Sequence, residues 1–267
     1  MWLGIVSLFP ELVAQAADSG VVGRAVRNGI VDLRLFNPRS YTTDKHQSVD
    51  DSPYGGGPGM LMMVEPLLQA VEAARECAPV APRVIYLTPQ GAPVDQQRVS
   101  ELSREQSLVL VAGRYEGVDQ RFVELAVDEE LSIGDYVLSG GELPALVLMD
   151  AMVRLLPGVL GNAASAEEES HLDGLLDYPQ YTRPENVRGL PVPELLLSGD
   201  HRAVARWRRQ QALLHTWRKR PDMLAERPLD DRDRLLLNEV LTEVLKQELG
   251  EAFAAVEETE GAKKQDH

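Results

Sequence analysis

Apolar residues gather in four short runs that predict strands. GIVSLF (residues 4–9), RVIYLTP (83–89) and SLVLVAG (107–113) are nearly continuous, as suits strands covered on both faces. IVDLRLF (30–36) alternates apolar and polar positions and predicts a half-covered strand. Pro10 follows the first run and marks a strand leading into a helix. Between the third and fourth runs, APVDQQRVSELSRE sets Val94, Val99 and Leu102 on one side of a helix. Leu143–Leu156 is predicted as a buried helix with Pro144 in its first turn, where the missing N–H costs nothing. Strands alternating with helices predict an α/β domain with a largely parallel sheet.

After Gly161 the pattern changes. Ala163–Asp173 is small and acidic without apolar periodicity and predicts a linker, and helical patterns follow it. The boundaries expected are a first domain over 1–161, a flexible linker over 162–175, an all-helical domain over 176–250 and a disordered acidic tail over 251–267. In RAVARWRRQQALLHTWRK (202–219) a helical wheel puts Val204, Trp207, Leu214 and Trp217 on one face, with Arg202, Arg206 and Arg209 opposite. Trp207 and Trp217 read as core rather than stacking platforms. No internal repeat is evident.

Charge and cysteine content narrow the function classes. The net charge of −15 argues against indiscriminate polyanion binding. Yet residues 202–220 hold seven Lys/Arg and no acid, whereas 221–267 hold thirteen acids against six Lys/Arg. A local basic patch of that kind is compatible with a nucleic-acid partner. Cys77 is the single cysteine, which excludes an intramolecular disulfide and fits a reducing cytosol. MWLGIVSLFPEL lacks a basic leader region, and Leu143–Gly161 carries Asp150 and Arg154 and is broken by Pro157. Neither a signal peptide nor a membrane span is expected, so the expected location is the cytoplasm.

Three glycine-rich loops are the candidate chemistry: DSPYGGGPGM (51–60), AGRYEGVD (112–119) and SIGDYVLSGGELP (132–144). None has the dinucleotide or P-loop glycine spacing, which disfavours a nicotinamide-dependent Rossmann enzyme. Two of them follow buried strands, the place where open α/β sheets bind ligands. They offer Tyr115 and Tyr136 as aromatic walls, Glu116 as a carboxylate and only Arg114 as a cation. A ligand with an adenine-like ring, an amino group and no phosphates suits that set better than ATP does.

The strings SLFPE, DDSPYGGGPGM, YLTPQG, GRYEGVDQR, SIGDYVLSGGELPAL, RLLPGVLG, YTRPE, LLSGDH and RWRRQQ occur in this order. Together they resemble the bacterial tRNA (guanine-N1)-methyltransferase family, within the superfamily of methyltransferases with a deep trefoil knot. The resemblance runs from Met1 to about residue 225. It implies a knotted parallel-sheet domain plus a small all-helical C-terminal domain, S-adenosyl-L-methionine as cofactor and tRNA as partner. It also implies a homodimer with the active site between subunits. The methyl acceptor would be N1 of the guanosine just 3′ of the anticodon when another guanosine precedes it.

Carried over residue by residue, the resemblance implies cofactor contacts from three loops. Tyr86, Leu87, Thr88 and Pro89 form the first, with Thr88 where the family more often has serine. Gly113, Tyr115, Glu116 and Gly117 form the second. Ile133, Gly134, Asp135, Tyr136, Val137 and Leu138, with Gly140, Gly141 and Pro144, form the third. Asp50, Gly59 and Met60 would lie near the target guanine. Ser165 and Ser170, and Arg202, Arg206 and Arg209 on the basic helix, would contribute to tRNA binding. The resemblance also implies magnesium, for which no motif marks a site, and His171, His201 and His215 lack metal-ligand spacing.

Guanine N1 carries a proton at neutral pH, so its lone pair must be freed before it can attack a methyl group. A carboxylate in hydrogen-bond reach can act as base, and a guanidinium can stabilise the charge that moves to O6. Arg154 resembles the family's residue for the second task; the bland alternative is a helix-surface salt bridge with Asp150. SAEEESHLDG (165–174) holds four carboxylates. Alignment on RLLPGVLG and GLLD puts Glu169, followed by Ser170, where the family has an aspartate base. The longer side chain opens an alternative, a knotted tRNA-binding protein with weakened catalysis or one that borrows another acid, Asp173 first.

Overall fold

A computed structural model of the chain describes residues 1–160, 174–246 and 249. The chain divides into two compact units, Met1–Ala166 and Glu167–His267. The expected linker lies mostly, and the expected acidic tail wholly, outside the described residues.

The first unit is built on five parallel strands: β1 (Trp2–Val6), β2 (Asp32–Phe36), β5 (Arg83–Pro93), β6 (Ser107–Ala112) and β7 (Glu129–Ser132), ordered β2-β1-β6-β5-β7. Alternate side chains feed two cores, as the period of two requires. Leu3, Ile5, Ile85, Leu87, Leu108 and Leu110 pack against helices α1 (Pro10–Ala17), α2 (Gly20–Arg27), α4 (Gln96–Leu102) and α6 (Glu142–Val153). Trp2, Val6, Val84, Tyr86, Val109 and Val111 pack with α3 (Val64–Cys77) and α5 (Gln120–Ala126). Burial on both faces is why these strands read as continuous apolar runs.

Three differences from the sequence reading bear on the site. The third run continues past residue 89: Leu87 and Ala92 both pair with Leu131, so residues 88–91 bulge out of β5 at its edge with β7. The register shift is tolerated because Gly91 has no side chain to strike the β7 backbone; a Cβ there would lie 2.4 Å from Leu131 N. A two-residue pairing, β3 (Asp50–Asp51) with β4 (Leu61–Met62), holds the GGGPG loop between its arms. The buried helix runs over Glu142–Val153, starting at the acid and stopping before Leu156.

The second unit contains α7 (Glu194–Leu197), α8 (His201–Lys219), α9 (Pro221–Glu226) and α10 (231–246). It is not wholly helical. Strands β8 (Asn186–Val187) and β9 (Leu190–Pro191) form a hairpin whose two central residues, Arg188 and Gly189, both have positive φ. The wheel reading of α8 holds for Leu214, which is buried, and is otherwise corrected. Trp217 is 46% exposed, while Ala212, Leu213 and Thr216 are buried on the side that carries Arg206 and Arg209. That side faces α10, where Asp233 takes both Nε and Nη2 of Arg209 (2.9 and 2.6 Å) and Glu239 pairs with Arg206. The Asp233 countercharge lets the Arg209 stem pack where the polarity of its head suggested solvent, while Arg206 stays exposed.

The Arg209 hydrogen bonds hold the Asp233 carboxyl below the usual carboxylate range. A depressed folded-state value gives stability that is present above the unfolded value and lost as pH falls through the folded one. The second unit is therefore expected to unfold at lower urea below about pH 4 than at pH 7. Asp233→Asn should flatten part of that dependence in urea titrations.

Candidate functional site

The C-terminal ends of β6, β5 and β7 lie side by side, and the loops leaving them enclose one cavity of about 310 Å³. Tyr86, Leu87, Thr88 and Pro89 come from the end of β5 and its bulge. Gly113, Tyr115, Glu116 and Gly117 come from the loop after β6. Ile133, Gly134, Tyr136, Val137, Leu138, Gly140 and Gly141 come from the segment joining β7 to α6, and Pro144 from the first turn of α6. Asp135 is exposed and is not on the wall, whereas Gln90, Arg114, Leu131 and Ser132 are.

The third loop crosses back over β5 to reach the end of β6. Gly141 N donates to Gly113 O (2.8 Å), and Arg114 bridges Gly140. This approach needs glycine. A Cβ on Gly140 would lie 2.3 Å from Arg114 Nε, and one on Gly113 would lie 2.9 Å from the Tyr86 ring. Tyr86 is itself buried, and burial pushes its phenol above the ordinary value.

Beneath the glycines is a polar cluster that the sequence did not signal. Glu142, at 1% exposure, accepts from Ser7 Oγ (2.8 Å) on Oε1, and its Oε2 lies 2.8 Å from Arg114 Nε. The second contact is a charge contact, off the N–H axis. Arg114 also donates to Ser139 O (3.2 Å), and its guanidinium lies 4.3 Å from the centre of the Phe9 ring. Ser7 follows β1 and in turn accepts from Phe9 N (2.9 Å). Three chain segments, Ser7–Phe9, Arg114 and Ser139–Glu142, are thus tied around one carboxylate. A lone acid at the start of an apolar helix was the available signal, but it reads equally well as a dipole-favoured first-turn residue.

The GGGPG region docks on the same loop. Glu116 N donates to Met60 O (3.0 Å), Met62 N donates to Gly117 O (2.9 Å), and Gly59 packs against the Glu116 side chain. Tyr115, with φ of +59°, has its phenol raised first by burial and then by the Asp50 carboxylate it meets. Asp50, Gly59 and Met60 are thereby brought to the rim of the cavity through Tyr115 and Glu116. Arg154 caps the C-terminus of α6. Glu169, Ser165 and Ser170 lie outside the described residues. In the second unit Arg202 is exposed, while Arg206 and Arg209 hold carboxylates. Among the described residues no group of three His, Cys, Asp or Glu could hold a metal ion, and no helix is long and apolar enough to cross a membrane. Among the described residues nothing marks a magnesium site, and no step is routed through one.

A parallel α/β sheet whose adjacent strand ends carry the β5 bulge and two glycine-rich loops around one cavity defines a ligand-binding domain. The chain belongs to the family described as tRNA (Guanine-1)-methyltransferase TrmD, whose model matches residues 1–226. It is 55% identical over 246 residues to the tRNA (guanine-N(1)-)-methyltransferase of Pseudoalteromonas atlantica, covering 92% of this chain and 93% of that one. It is also 55% identical to the proteins of that name from Aeromonas hydrophila (91% of this chain, 98% of the relative) and Yersinia enterocolitica (90% and 97%).

Proposed function

We propose that this chain transfers a methyl group from S-adenosyl-L-methionine to N1 of a guanine in tRNA, the guanosine 3′ of the anticodon that follows another guanosine. The observation that carries the reading is the composition of the cavity wall. Among the described residues its one cation, Arg114, is taken up by Glu142, so none of them offers a free positive charge to phosphates. Backbone groups, aromatic rings and the Glu116 carboxylate remain, which suit an adenine ring and an amino group. The bound cofactor supplies an electrophilic methyl group on a sulfonium sulfur.

The chain's own residues do the rest. Tyr86, Leu87 and the glycine loops hold the adenosine part against the sheet edge and exclude water. Glu169 removes the N1 proton, and Arg154 stabilises the negative charge that moves onto O6. Asp50, Gly59 and Met60 contact the guanine and its neighbour, and Ser165, Ser170 and Arg202 contribute to holding the tRNA. The return of the third loop across β5 supports a deep trefoil knot in this domain. A homodimer is supported by α6, which is apolar nearly all round and leaves Leu143 and Val147 about half exposed. A helix of that kind calls for a covering partner.

Calorimetry tests the cofactor assignment: S-adenosyl-L-methionine should bind and NAD should not, and NAD binding alone would overturn it. Gly113→Ala is expected to push the Tyr86 ring into the cavity and weaken cofactor binding by about tenfold, the equivalent of a modest overpacking cost. Unchanged affinity would remove Gly113 from the wall's function.

A further inference from the structure

The second unit has a cavity of its own, larger than the first at about 430 Å³, and the reaction just described leaves it unused. Its walls are the segment 178–185, Val192, α7 and one side of α8. Both volumes fall in the range of small-ligand sites, about 300–1,000 Å³.

The chemistry of the wall is specific. Tyr181 and Trp207 meet with ring centres 6.5 Å apart and planes tilted by 48°. The Arg208 guanidinium lies 4.9 Å from the centre of the Tyr178 ring. Trp207 lines the cavity and keeps part of its ring surface exposed to it. Arg183 and Arg208 both line the cavity and are exposed, and among the described residues neither makes an ion pair. Among the described residues Glu185 is the only acid on the wall.

Polarity divides α8 lengthwise. On the side facing α10, Arg206 and Arg209 are neutralised by Glu239 and Asp233. On the cavity side, the guanidinium of Arg208 remains uncompensated beside aromatic rings. In a chain of net charge −15, two cations without ion pairs among the described residues, beside aromatic faces and facing a single wall carboxylate, match a planar, anionic occupant. Aromatic surfaces flanked by arginine are how single-stranded nucleic acid is held without reading its sequence.

We propose that this cavity receives one unstacked nucleotide of the tRNA, its base against Trp207 and Tyr181 and its phosphate at Arg208 and Arg183. The inference rests on the reading of tRNA as substrate and extends it to a second contact on the helical unit.

The test is a set of tRNA affinities measured by the full chain at several salt concentrations, with far-UV circular dichroism matched to wild type. Trp207→Leu keeps an apolar wall but removes the stacking face. It should weaken tRNA binding by about 5- to 100-fold, the span of one lost base–aromatic stack. Arg208→Gln, at an exposed position, should weaken binding and lower the slope of log affinity against log salt by about one phosphate contact. If the wild-type chain fails to bind tRNA, the substrate reading falls and this inference with it. If wild type binds and a folded Trp207→Leu binds equally well, the nucleotide site is refuted while the substrate reading stands. Should Trp207→Leu not fold, an unchanged salt slope in Arg208→Gln refutes the site by itself.

Discussion

Replacing Glu169 by glutamine is expected to lower kcat by about 10²- to 10⁴-fold, the usual contribution of a positioned general base, and to leave cofactor affinity unchanged. Glutamine keeps the length and a hydrogen-bonding head but cannot accept the N1 proton. Cofactor binding persists because the adenosine wall is built from residues 86–144, on the other unit. The nomination of Glu169 among four carboxylates rests on register. RLLPGVLG ends at Gly161 and GLLD begins at Gly174, which fixes the count between them. Glu169→Asp supplies the shorter side chain typical of the family. Because position matters steeply in catalysis, that variant should match or exceed the wild-type rate. A near-normal rate in Glu169→Gln, with collapse in Asp173→Asn, would move the base to Asp173.

Arg114→Ala is expected to be the most destabilising single change at the cavity. It leaves the Glu142 carboxylate, 1% exposed, with Ser7 as its remaining side-chain hydrogen-bond partner. Breaking a buried ion pair from one side costs about 3–5 kcal/mol. Arg114 is itself 22% exposed, which places the loss at the lower end. About 3 kcal/mol corresponds to a fall of about 6–12 °C in Tm for a domain of this size. Removing both charges, as in Arg114→Met with Glu142→Leu, should recover much of that loss, because no unpaired charge stays buried. Cofactor affinity should fall in both variants, since Ser139 and Gly140 lose the guanidinium that holds the third loop. A double variant as unstable as Arg114→Ala would show that shape, not charge, holds this corner.

What could be read from the sequence was what obeys local rules. β1, β5 and β6 are covered on both faces, so their apolar runs are continuous, and the glycine loops sit where such strands end. What could not be read was set by contacts between distant positions. Ser7 meets Glu142 across 135 positions, and no spacing rule links them. The bulge at residues 88–91 exists because β7 pairs with β5 on both sides of it. On α8 the wheel assigned arginines to solvent by type, which holds for Arg206, whereas Asp233 on α10 supplies the countercharge that lets Arg209 be partly covered. The carboxylate nominated as base became legible only through family motifs flanking it, since an acidic run alone predicts a solvated linker.

The most direct measurement incubates the purified chain with methyl-labelled S-adenosyl-L-methionine and two tRNA transcripts, one with consecutive guanosines beside the anticodon and one with the first of the pair replaced. The nucleosides are then separated after digestion. The account predicts label in N1-methylguanosine from the first transcript and little from the second. Retained binding of cofactor and tRNA with no transfer to either transcript would contradict it.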